Sequence, residues 1–413
     1  MLKNYLKIAL AVLQRRKFFT FISLFGISFT LTILILLSSF ADHAISTSYP
    51  ELNKDRSLYI TTLQQLNTKK FGMMQGPGSF YFMDHYAGSL KTPEKVGISS
   101  MFIATNTYVN NKKFVINVKY TNEAFWDVIS YDFIEGKPYT KQQIANGEKI
   151  AVITDDTKRE YFGDVKNAVG KYIETDNVQY RVVGVVKASP VTMIYSYADM
   201  FLPYTISKAD YRNKGYMGNY VAVLLAKSKD DLPKIQEEFA SVVSKIPPEN
   251  PKDFDEFHSS ADPYLATFTR IIFGDGNNSG ITKFGITIFL FVLLIMLLPT
   301  INLVNINISR IMERSSEIAV RKAFGASSGT LVIQFIVENI ILTLLGGLIG
   351  LAFAGVVIHF VNESQLIQNA NFGIDLSVFA YTILASLFFG LLSGVYPAWR
   401  MSRLHVVKAL KAQ

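Results

Sequence analysis

Few residues in this sequence have the types and spacing that enzyme chemistry needs. Asp84 and His85 are adjacent, but no nucleophile signature lies near them in the sequence. The sequence also contains neither a G-x-x-x-x-G-K-[ST] phosphate-binding loop nor a GxGxxG sequence. The five histidines lack the spacing of two metal ligands on one helix face, and the absence of cysteine excludes disulfides and Cys-ligated zinc. We therefore expect no catalytic, cofactor or metal site in this chain.

One run of charged residues does have a regular spacing. It is ERSSEIAVRKAFGASSG, residues 313–329, in which Glu317 precedes Arg321 by four positions, the order that favours a helix. Gly325 is placed to end that helix, and one of the two serines after it can cap the next. The next helix is almost wholly apolar. The run therefore predicts a short charged helix at the boundary between water and membrane, where a soluble partner could push on a membrane segment.

The composition supports a membrane protein. The chain has 413 residues, 49% of them hydrophobic, with 31 Phe and 21 Tyr, which is too apolar for an ordinary soluble protein of this size. The formal net charge is +8, and the positive residues concentrate before the first apolar run, in the charged run and after the last apolar run. The positive-inside rule explains this placement better than nucleic-acid binding does. We expect no nucleic-acid partner.

Four apolar runs, two before and two after the charged run, are expected to form the membrane helices that position it. Residues 18–40 contain no charged residue over 23 positions, and at about 1.5 Å per residue they can cross a hydrocarbon core of about 30 Å. This run is longer than the roughly 7–15 apolar residues of a cleaved signal peptide, so we expect an uncleaved span. The predicted fold class is an α-helical membrane protein with four transmembrane helices and a large α+β extracytoplasmic domain inserted between helices 1 and 2.

The predicted segments alternate between the two sides of the membrane. They are a cytoplasmic amphipathic helix (1–17), transmembrane helix 1 (18–40), the extracytoplasmic α+β domain (41–280), transmembrane helix 2 (281–309), a charged cytoplasmic loop (310–329), transmembrane helix 3 (330–360), a short extracytoplasmic loop (361–375), transmembrane helix 4 (376–399) and a cytoplasmic tail (400–413). Both termini are thus expected in the cytoplasm.

Within 41–280, strand patterns and helix patterns are mixed. The runs rich in β-branched and aromatic residues, as strands are, lie at 57–60, 114–120, 149–154, 180–187 and 220–226. The helix-like runs lie at 155–162, 229–246 and 264–273. Asn110-Asn111 and Asp176-Asn177 are candidates for hairpin turns. The Pro-rich, acidic residues 247–263 predict a loop or linker.

The Met- and aromatic-rich residues 71–86 are open to two interpretations. They could contact an apolar substrate or a partner. We favour packing inside the domain, since aromatic and Met side chains more often serve a core.

Small residues recur every four positions in the last two apolar runs. In the third run they are Gly346, Gly350 and Ala354, and in the fourth they include Gly390 and Gly394. A stripe of small residues lets the backbones of two membrane helices approach closely. We expect both stripes to be helix-packing surfaces.

A few polar residues lie inside the apolar runs. Asn302 and Asn305 crowd one end of the second run, where their amides can hydrogen-bond to other helices for about 0.6–2 kcal/mol each. Glu338 lies inside the third run, where a charge costs about 2.5–3.5 kcal/mol unless it is paired or shallow. Glu338 could relay protons or brace the helix near its cytoplasmic end, and we favour the brace.

Three stretches resemble one protein family. ERSSEIAVRKAFGAS followed by QFIVENIILTLLGGLIGL is similar to the signature segment of MacB/FtsX-type ABC transporter permeases. AVITDDTKREYFGDVKNAVGKYIETDNVQYRVVGVVKASP resembles the extracytoplasmic domain of the same family. The final YPAWRMSRLHVVKALKAQ resembles its closing segment, although Val406 stands where the family usually has Pro and Lys411 where it usually has Arg.

The resemblance implies a role and partners for the charged run. In this family the charged helix is the coupling helix, which docks on a separate ABC ATPase that binds ATP and Mg. The residues that would form the docking surface here are Glu317, Ile318, Arg321, Lys322, Gly325 and Ala326. The resemblance further implies a homodimer, or a pair with a homologous permease, in the bacterial cytoplasmic (inner) membrane. Some members also work with a membrane-fusion adaptor and an outer-membrane duct.

Several functions fit such a chain. The large predicted outside domain favours export of a substrate from the periplasmic side by a permease driven by its partner ATPase. The alternative within the family is a mechanotransmitter that regulates an extracytoplasmic effector without transport. A membrane-anchored sensor would need a cytoplasmic output domain, and a membrane-bound hydrolase would need a catalytic constellation in 41–280. The charges of the charged run could also serve only to anchor a helix at the lipid headgroups.

Overall fold

The computed structural model describes residues 11, 13–15, 17–109, 112–275, 278–313, 320 and 328–402. The chain forms two compact units. The α+β unit contains residues 44–284 and 367–370, and the helical unit contains the described residues of 1–43, 285–366 and 371–413.

The helices and strands follow the chain in this order. The helices are α1 (Lys17–Ile45), α2 (Phe80–Phe82), α3 (Phe125–Val128), α4 (Lys141–Ala145), α5 (Asp155–Phe162), α6 (Leu232–Val243), α7 (Tyr264–Phe273), α8 (Ile281–Glu313), α9 (Ser328–Glu363) and α10 (Leu376–Ser402). The strands are β1 (Ser57–Ile60), β2 (Leu63–Asn67), β3 (Gly72–Gly76), β4 (Lys95–Ser100), β5 (Ile103–Val109), β6 (Lys112–Thr121), β7 (Phe133–Gly136), β8 (Ile150–Thr154), β9 (Tyr172–Thr175), β10 (Val178–Val186), β11 (Met200–Pro203), β12 (Tyr220–Leu225) and β13 (Glu256–Ser259).

The helical unit is built on long apolar helices. Among the described residues, two helical segments are long and apolar enough to cross a membrane, Lys17–Ile45 and Val332–Glu363. The apolar parts of α8 and α10, Ile281–Leu297 and Leu376–Phe388, are shorter. The four predicted spans fall on α1, α8, α9 and α10, but a count of four membrane crossings stays a prediction, as do the segment boundaries. Residues 1–10 of the predicted amphipathic helix lie outside the described residues.

The α+β unit is organised by a large mixed sheet. Its strand order is β1-β12-β4-β6-β11-β8-β10-β7, with β5 added to β6 and β9 to β10. The β8–β10 and β6–β11 pairs are parallel, and the others are antiparallel. A smaller antiparallel sheet has the order β13-β2-β3.

Both faces of the large sheet are covered. In β12, which is buried throughout, Val221 and Val223 belong to one hydrophobic cluster, while Ala222 and Leu224 belong to another. Successive side chains of a strand point to opposite faces, so the two clusters lie on the two sides of the sheet. Helix α6 supplies Phe239 to one cluster, and α3 supplies Phe125 to the other.

Local signals account for α5 and for the β9–β10 hairpin. The Thr154 hydroxyl accepts a hydrogen bond from Thr157 N–H at 3.2 Å and so caps the start of α5. Gly163, with φ +70°, follows its last residue. Asp176 and Asn177 both have positive φ, as the predicted two-residue turn requires. This turn prediction is confirmed, whereas Asn110 and Asn111 lie outside the described residues.

One prediction for this unit is wrong in part. Residues 247–263 are not only a loop or linker, since Glu256–Ser259 forms β13 and pairs with β2. Proline and acidic residues signal a turn locally. The strand depends on a partner at 63–66, which no local pattern reveals.

Candidate functional site

The predicted ATPase-coupling residues lie outside the described part of the chain. They are Glu317, Ile318, Arg321, Lys322, Gly325 and Ala326. The long helix that precedes them, α8, ends at Glu313, and the long helix that follows them, α9, begins at Ser328. The role of these six residues therefore stays a prediction.

The stripe of small residues in the third apolar run lies on α9 and contacts α1 within the helical unit. A Cβ atom at Gly346 would be 2.6 Å from Cγ2 of Ile27, and a Cβ at Gly350 would be 2.9 Å from the backbone oxygen of Ser28. Thr32 Oγ1 donates a hydrogen bond to the Gly350 carbonyl at 3.1 Å. Ala354 is fully buried. The backbones of α1 and α9 therefore approach closely at this stripe, while for Gly390 and Gly394 the structure describes only the backbone, in α10.

Polar side chains are buried on α9. Glu338 is only 3% exposed and accepts a hydrogen bond from Gln334 Nε2 at 3.0 Å, one turn earlier. Asn339 and Thr343 are buried on the same helix. Asn302 and Asn305 lie in α8, and their side chains are outside what the structure describes. The roles of these polar residues stay predictions.

The α+β unit contains a buried polar cluster close to the two chain segments that lead into α1 and α8. We call it the junction cluster and define it as Glu51, Lys54, Tyr59, Asp262, Tyr264 and Arg270. In its first half, Lys54 Nζ lies 3.4 Å from Glu51 Oε2. The same Nζ donates to the carbonyls of Ala44 and Ser46, at 3.4 and 3.2 Å. Lys54 thereby stabilises the carboxyl end of α1, where unpaired carbonyls favour a cation.

The second half of the junction cluster belongs to the segment that leads into α8. Arg270 on α7 forms a bidentate ion pair with Asp262, with Nη2 2.9 Å from Oδ1, and both residues are buried. Asp262 also exchanges two backbone hydrogen bonds with Tyr59, at 2.7 and 2.9 Å. These bonds join β1 to the residues just before α7.

Contacts between side chains complete the junction cluster. Lys54 Nζ lies 4.0 Å from the ring centroid of Tyr264, and the Tyr59 and Tyr264 rings are 5.3 Å apart. The second oxygen of Glu51 accepts a hydrogen bond from Ser196 Oγ at 2.8 Å. Burial, and secondarily the Glu51 carboxylate, raises the pKa of both Tyr59 and Tyr264 well above the ordinary value. The two phenols therefore stay neutral beside the buried carboxylate.

The arrangement suits mechanical connection better than catalysis. The two chain segments that enter and leave the unit share two backbone hydrogen bonds and a cation–π contact, and each of the two buried ion pairs lies within one segment. In the described part of the chain, no group of three His, Cys, Asp or Glu residues is placed to hold a metal ion. The sequence offered only a faint signal for this cluster, namely charged residues set among aromatic and apolar neighbours.

Comparisons with known proteins give matches over most of the chain. Residues 20–242 match the family model of the MacB-like periplasmic core domain, and residues 289–406 match that of the FtsX-like permease C-terminal domain. The ABC transporter permease YknZ of Bacillus subtilis (strain 168) is 24% identical over 296 residues, which are 70% of this chain and 68% of YknZ. The macrolide export ATP-binding/permease protein MacB of Bdellovibrio bacteriovorus is 27% identical over 67% of this chain. The alignment covers 41% of that MacB, so the chain spans about two fifths of its length.

Solved structures of extracytoplasmic domains are also similar. The extracellular domain of YknZ from Gram-positive bacteria has a TM-score of 0.36 and 14% identity, covering 49% of this chain and 98% of that domain. The periplasmic region of MacB from Actinobacillus actinomycetemcomitans has a TM-score of 0.36 and 15% identity, covering 52% and 92%. The assignment rests on the sequence matches, because the first family model alone covers more than half of the chain. The chain belongs to the MacB/FtsX-type family of ABC transporter permeases.

Proposed function

We propose that this chain is a permease subunit that transmits the ATP-driven movement of a partner ATPase to its α+β unit, and so exports a substrate from the periplasmic side of the membrane. Membership of an ABC permease family implies a membrane protein and an ATPase partner. The matched family models describe permease domains, and the sequence has no P-loop. ATP and Mg are therefore assigned to the partner.

The observation that carries this proposal is the junction cluster. Lys54 joins the end of α1 to the Glu51 carboxylate, and the backbone hydrogen bonds between Tyr59 and Asp262 join β1 to the segment before α8, which the Asp262–Arg270 pair holds together. A buried ion pair contributes little net stability against apolar residues of similar volume. Here each pair fixes the geometry of its own segment, and the backbone hydrogen bonds and the cation–π contact between the two segments resist their separation.

The proposed assembly follows the family. Four membrane-spanning helices, with both termini in the cytoplasm, would place 41–280 outside the bacterial cytoplasmic membrane. Two copies would pair, or one copy would pair with a homologous permease, and two ATPase subunits would bind the coupling helices. A membrane-fusion adaptor and an outer-membrane duct would complete an export path. Substrate would leave from the periplasmic side, as the resemblance to the family implies.

Charge reversal in the coupling run tests the proposal. We expect Arg321→Glu to abolish recovery of a P-loop ATPase with the tagged chain, purified in mild detergent and identified by mass spectrometry and ATPase assay. The physical reason is that the variant places a carboxylate on the surface predicted to contact the ATPase. Arg15→Glu, also a charge reversal on the predicted cytoplasmic side, is the matched control and should retain the ATPase.

Three outcomes of this experiment are informative. ATPase association and activity that Arg321→Glu leaves unchanged would exclude the docking role of that residue. A chain that purifies alone and without ATPase activity in several detergents would contradict the coupling role of the charged run and favour a membrane-anchored sensor. Recovery of the ATPase with an extracytoplasmic effector, and no adaptor, would favour regulation of that effector over export.

A further inference from the structure

The β2–β3 hairpin presents apolar side chains to solvent. Phe71 in its turn is 97% exposed, and Met73 and Met74 on β3 are 62% and 44% exposed. Met73 and Met74 are adjacent, so their side chains point to opposite faces of the strand. Both faces of β3 are therefore uncovered at this point. We call Lys69, Lys70, Phe71, Met73 and Met74 the hairpin edge.

The backbone of β3 is also open to a partner. β3 is the last strand of the β13-β2-β3 sheet, and within the described chain no strand pairs with its outer side. Proteins usually protect such an edge with charges, proline or a bulge in the strand. The strand sequence Gly-Met-Met-Gln-Gly, residues 72–76, contains no charge and no proline. Its outward N–H and C=O groups can therefore pair with another extended chain.

The turn that carries Phe71 is firmly held. The Asp255 carboxylate accepts hydrogen bonds from the Thr68 N–H at 2.9 Å and from its hydroxyl at 2.6 Å. Asn67 Nδ2 donates to the Asp253 carbonyl at 2.6 Å, and Asn67 Oδ1 accepts from the Lys70 N–H at 2.8 Å. The exposure of Phe71 is thus a property of a braced turn.

The conformation of Phe71 adds to the case for a binding surface. Its φ of +53° lies in the left-handed region, which a bulky L-residue rarely adopts. Neither this backbone strain nor the exposed ring benefits the isolated fold. Strained residues that a surrounding structure holds in place are concentrated at functional sites.

We propose that the hairpin edge is a docking site for an extended segment of a partner protein, rich in alternating apolar and acidic residues, which adds to β3 as a further strand. The open backbone selects an extended chain. The flexible Met side chains adapt to apolar residues of that chain, and Lys69 and Lys70 attract its carboxylates. The inference stands on the hairpin alone and is independent of how ATP drives the chain.

A peptide selection on the full chain in nanodiscs tests the site. One displayed library alternates apolar and acidic residues, and a matched library carries Lys or Arg at the acidic positions. We expect the acidic library to be enriched, and its selected peptides to slow amide hydrogen exchange in residues 72–76. Phe71→Asp and Met73→Asp should each weaken binding about tenfold. Tyr108→Asp, at another exposed aromatic residue of the same unit (63% exposed), should leave it unchanged.

Other results would overturn the proposal. Equal enrichment of the basic library, or peptides that bind Phe71→Asp and the unaltered chain equally, would remove the hairpin edge as an acidic-strand site. A lipid surface is the competing occupant. Because the sequence has no cysteine, Phe71→Cys can carry a single fluorescent label. Quenching of that label by nitroxide-bearing lipids would assign the hairpin edge to the membrane instead.

Discussion

Lys119 lies on β6 and has no exposed surface, although its side chain ends in an amine that can carry a charge. Its Nζ donates hydrogen bonds to the carbonyls of Ser100, at 2.8 Å, and Ile194, at 3.5 Å. Burial lowers the pKa of Lys119 from 10.5 to about 7, and the nearby Glu51 carboxylate opposes this shift only partly. The unfolded chain therefore binds more protons than the folded chain between about pH 7 and the ordinary lysine value.

This difference predicts a pH dependence of stability. The free energy of unfolding should rise with pH above about 7, by up to about 1.4 kcal/mol per pH unit. Lys119→Met should flatten this rise, while Lys113→Met, on the exposed part of the same strand, should retain it. Urea unfolding of the full chain in detergent, monitored by tryptophan fluorescence at several pH values, measures the slope. Equal slopes for Lys119→Met and the unaltered chain would show that Lys119 does not titrate in this way.

At the scale of elements, α1 and α9 are held together by the close approach of their backbones. A Cβ at Gly350 would lie 2.9 Å from the Ser28 carbonyl oxygen and 3.1 Å from Cβ of Leu31. Neither atom is the mobile end of a side chain, so the helices would have to separate. At Gly355, on the same helix, a Cβ would meet only Ile374 Cδ1 at 3.9 Å.

The two glycines should therefore respond differently to the same change. Gly350→Ala is expected to destabilise the full chain by about 1–3 kcal/mol through overpacking. Gly355→Ala should be neutral or slightly stabilising, because alanine favours a helix over glycine by about 1 kcal/mol. Thermal unfolding in detergent, monitored by size-exclusion chromatography, compares the melting temperatures of the two variants. Similar melting temperatures for both variants would argue against a tight α1–α9 contact.

At the scale of the whole molecule, the junction cluster lies where chain continuity links the α+β unit to long helices. Arg270→Met leaves the Asp262 carboxylate buried without its cation, which should cost about 3–5 kcal/mol of stability. The double variant Asp262→Leu/Arg270→Met should recover most of that stability, since apolar residues can replace a buried pair. Urea unfolding of the full chain measures both effects.

The double variant also tests transmission. If the pair carries motion, a folded Asp262→Leu/Arg270→Met chain should still bind its ATPase and support ATP hydrolysis, but lose export. Lys283→Met, which breaks the exposed Lys283–Asp275 pair on the same segment, is the control and should keep both activities. Full export by the folded double variant would show that the buried pair does not transmit movement.

Part of this structure can be predicted from the sequence alone, because interactions between residues close in the chain determine it. The predicted strand 57–60 and helix 155–162 have the same bounds in the structure, and the Asp176-Asn177 turn is present. Their hydrogen bonds, side-chain periodicity and turn chemistry act over a few residues. The long apolar runs and the charged run were likewise enough to identify the family, and the family models confirm that identification.

Only the tertiary structure paired Glu51 with Lys54 and Ser196, joined Tyr59 to Asp262, buried Lys119 and left β3 as an open edge. Most of these contacts join residues far apart in the chain, so no short window of sequence contains both partners. Hydropathy also predicts charged residues at the surface, because burial without a partner is costly. The partner that makes burial tolerable, or the missing strand that leaves an edge open, is a property of the folded arrangement.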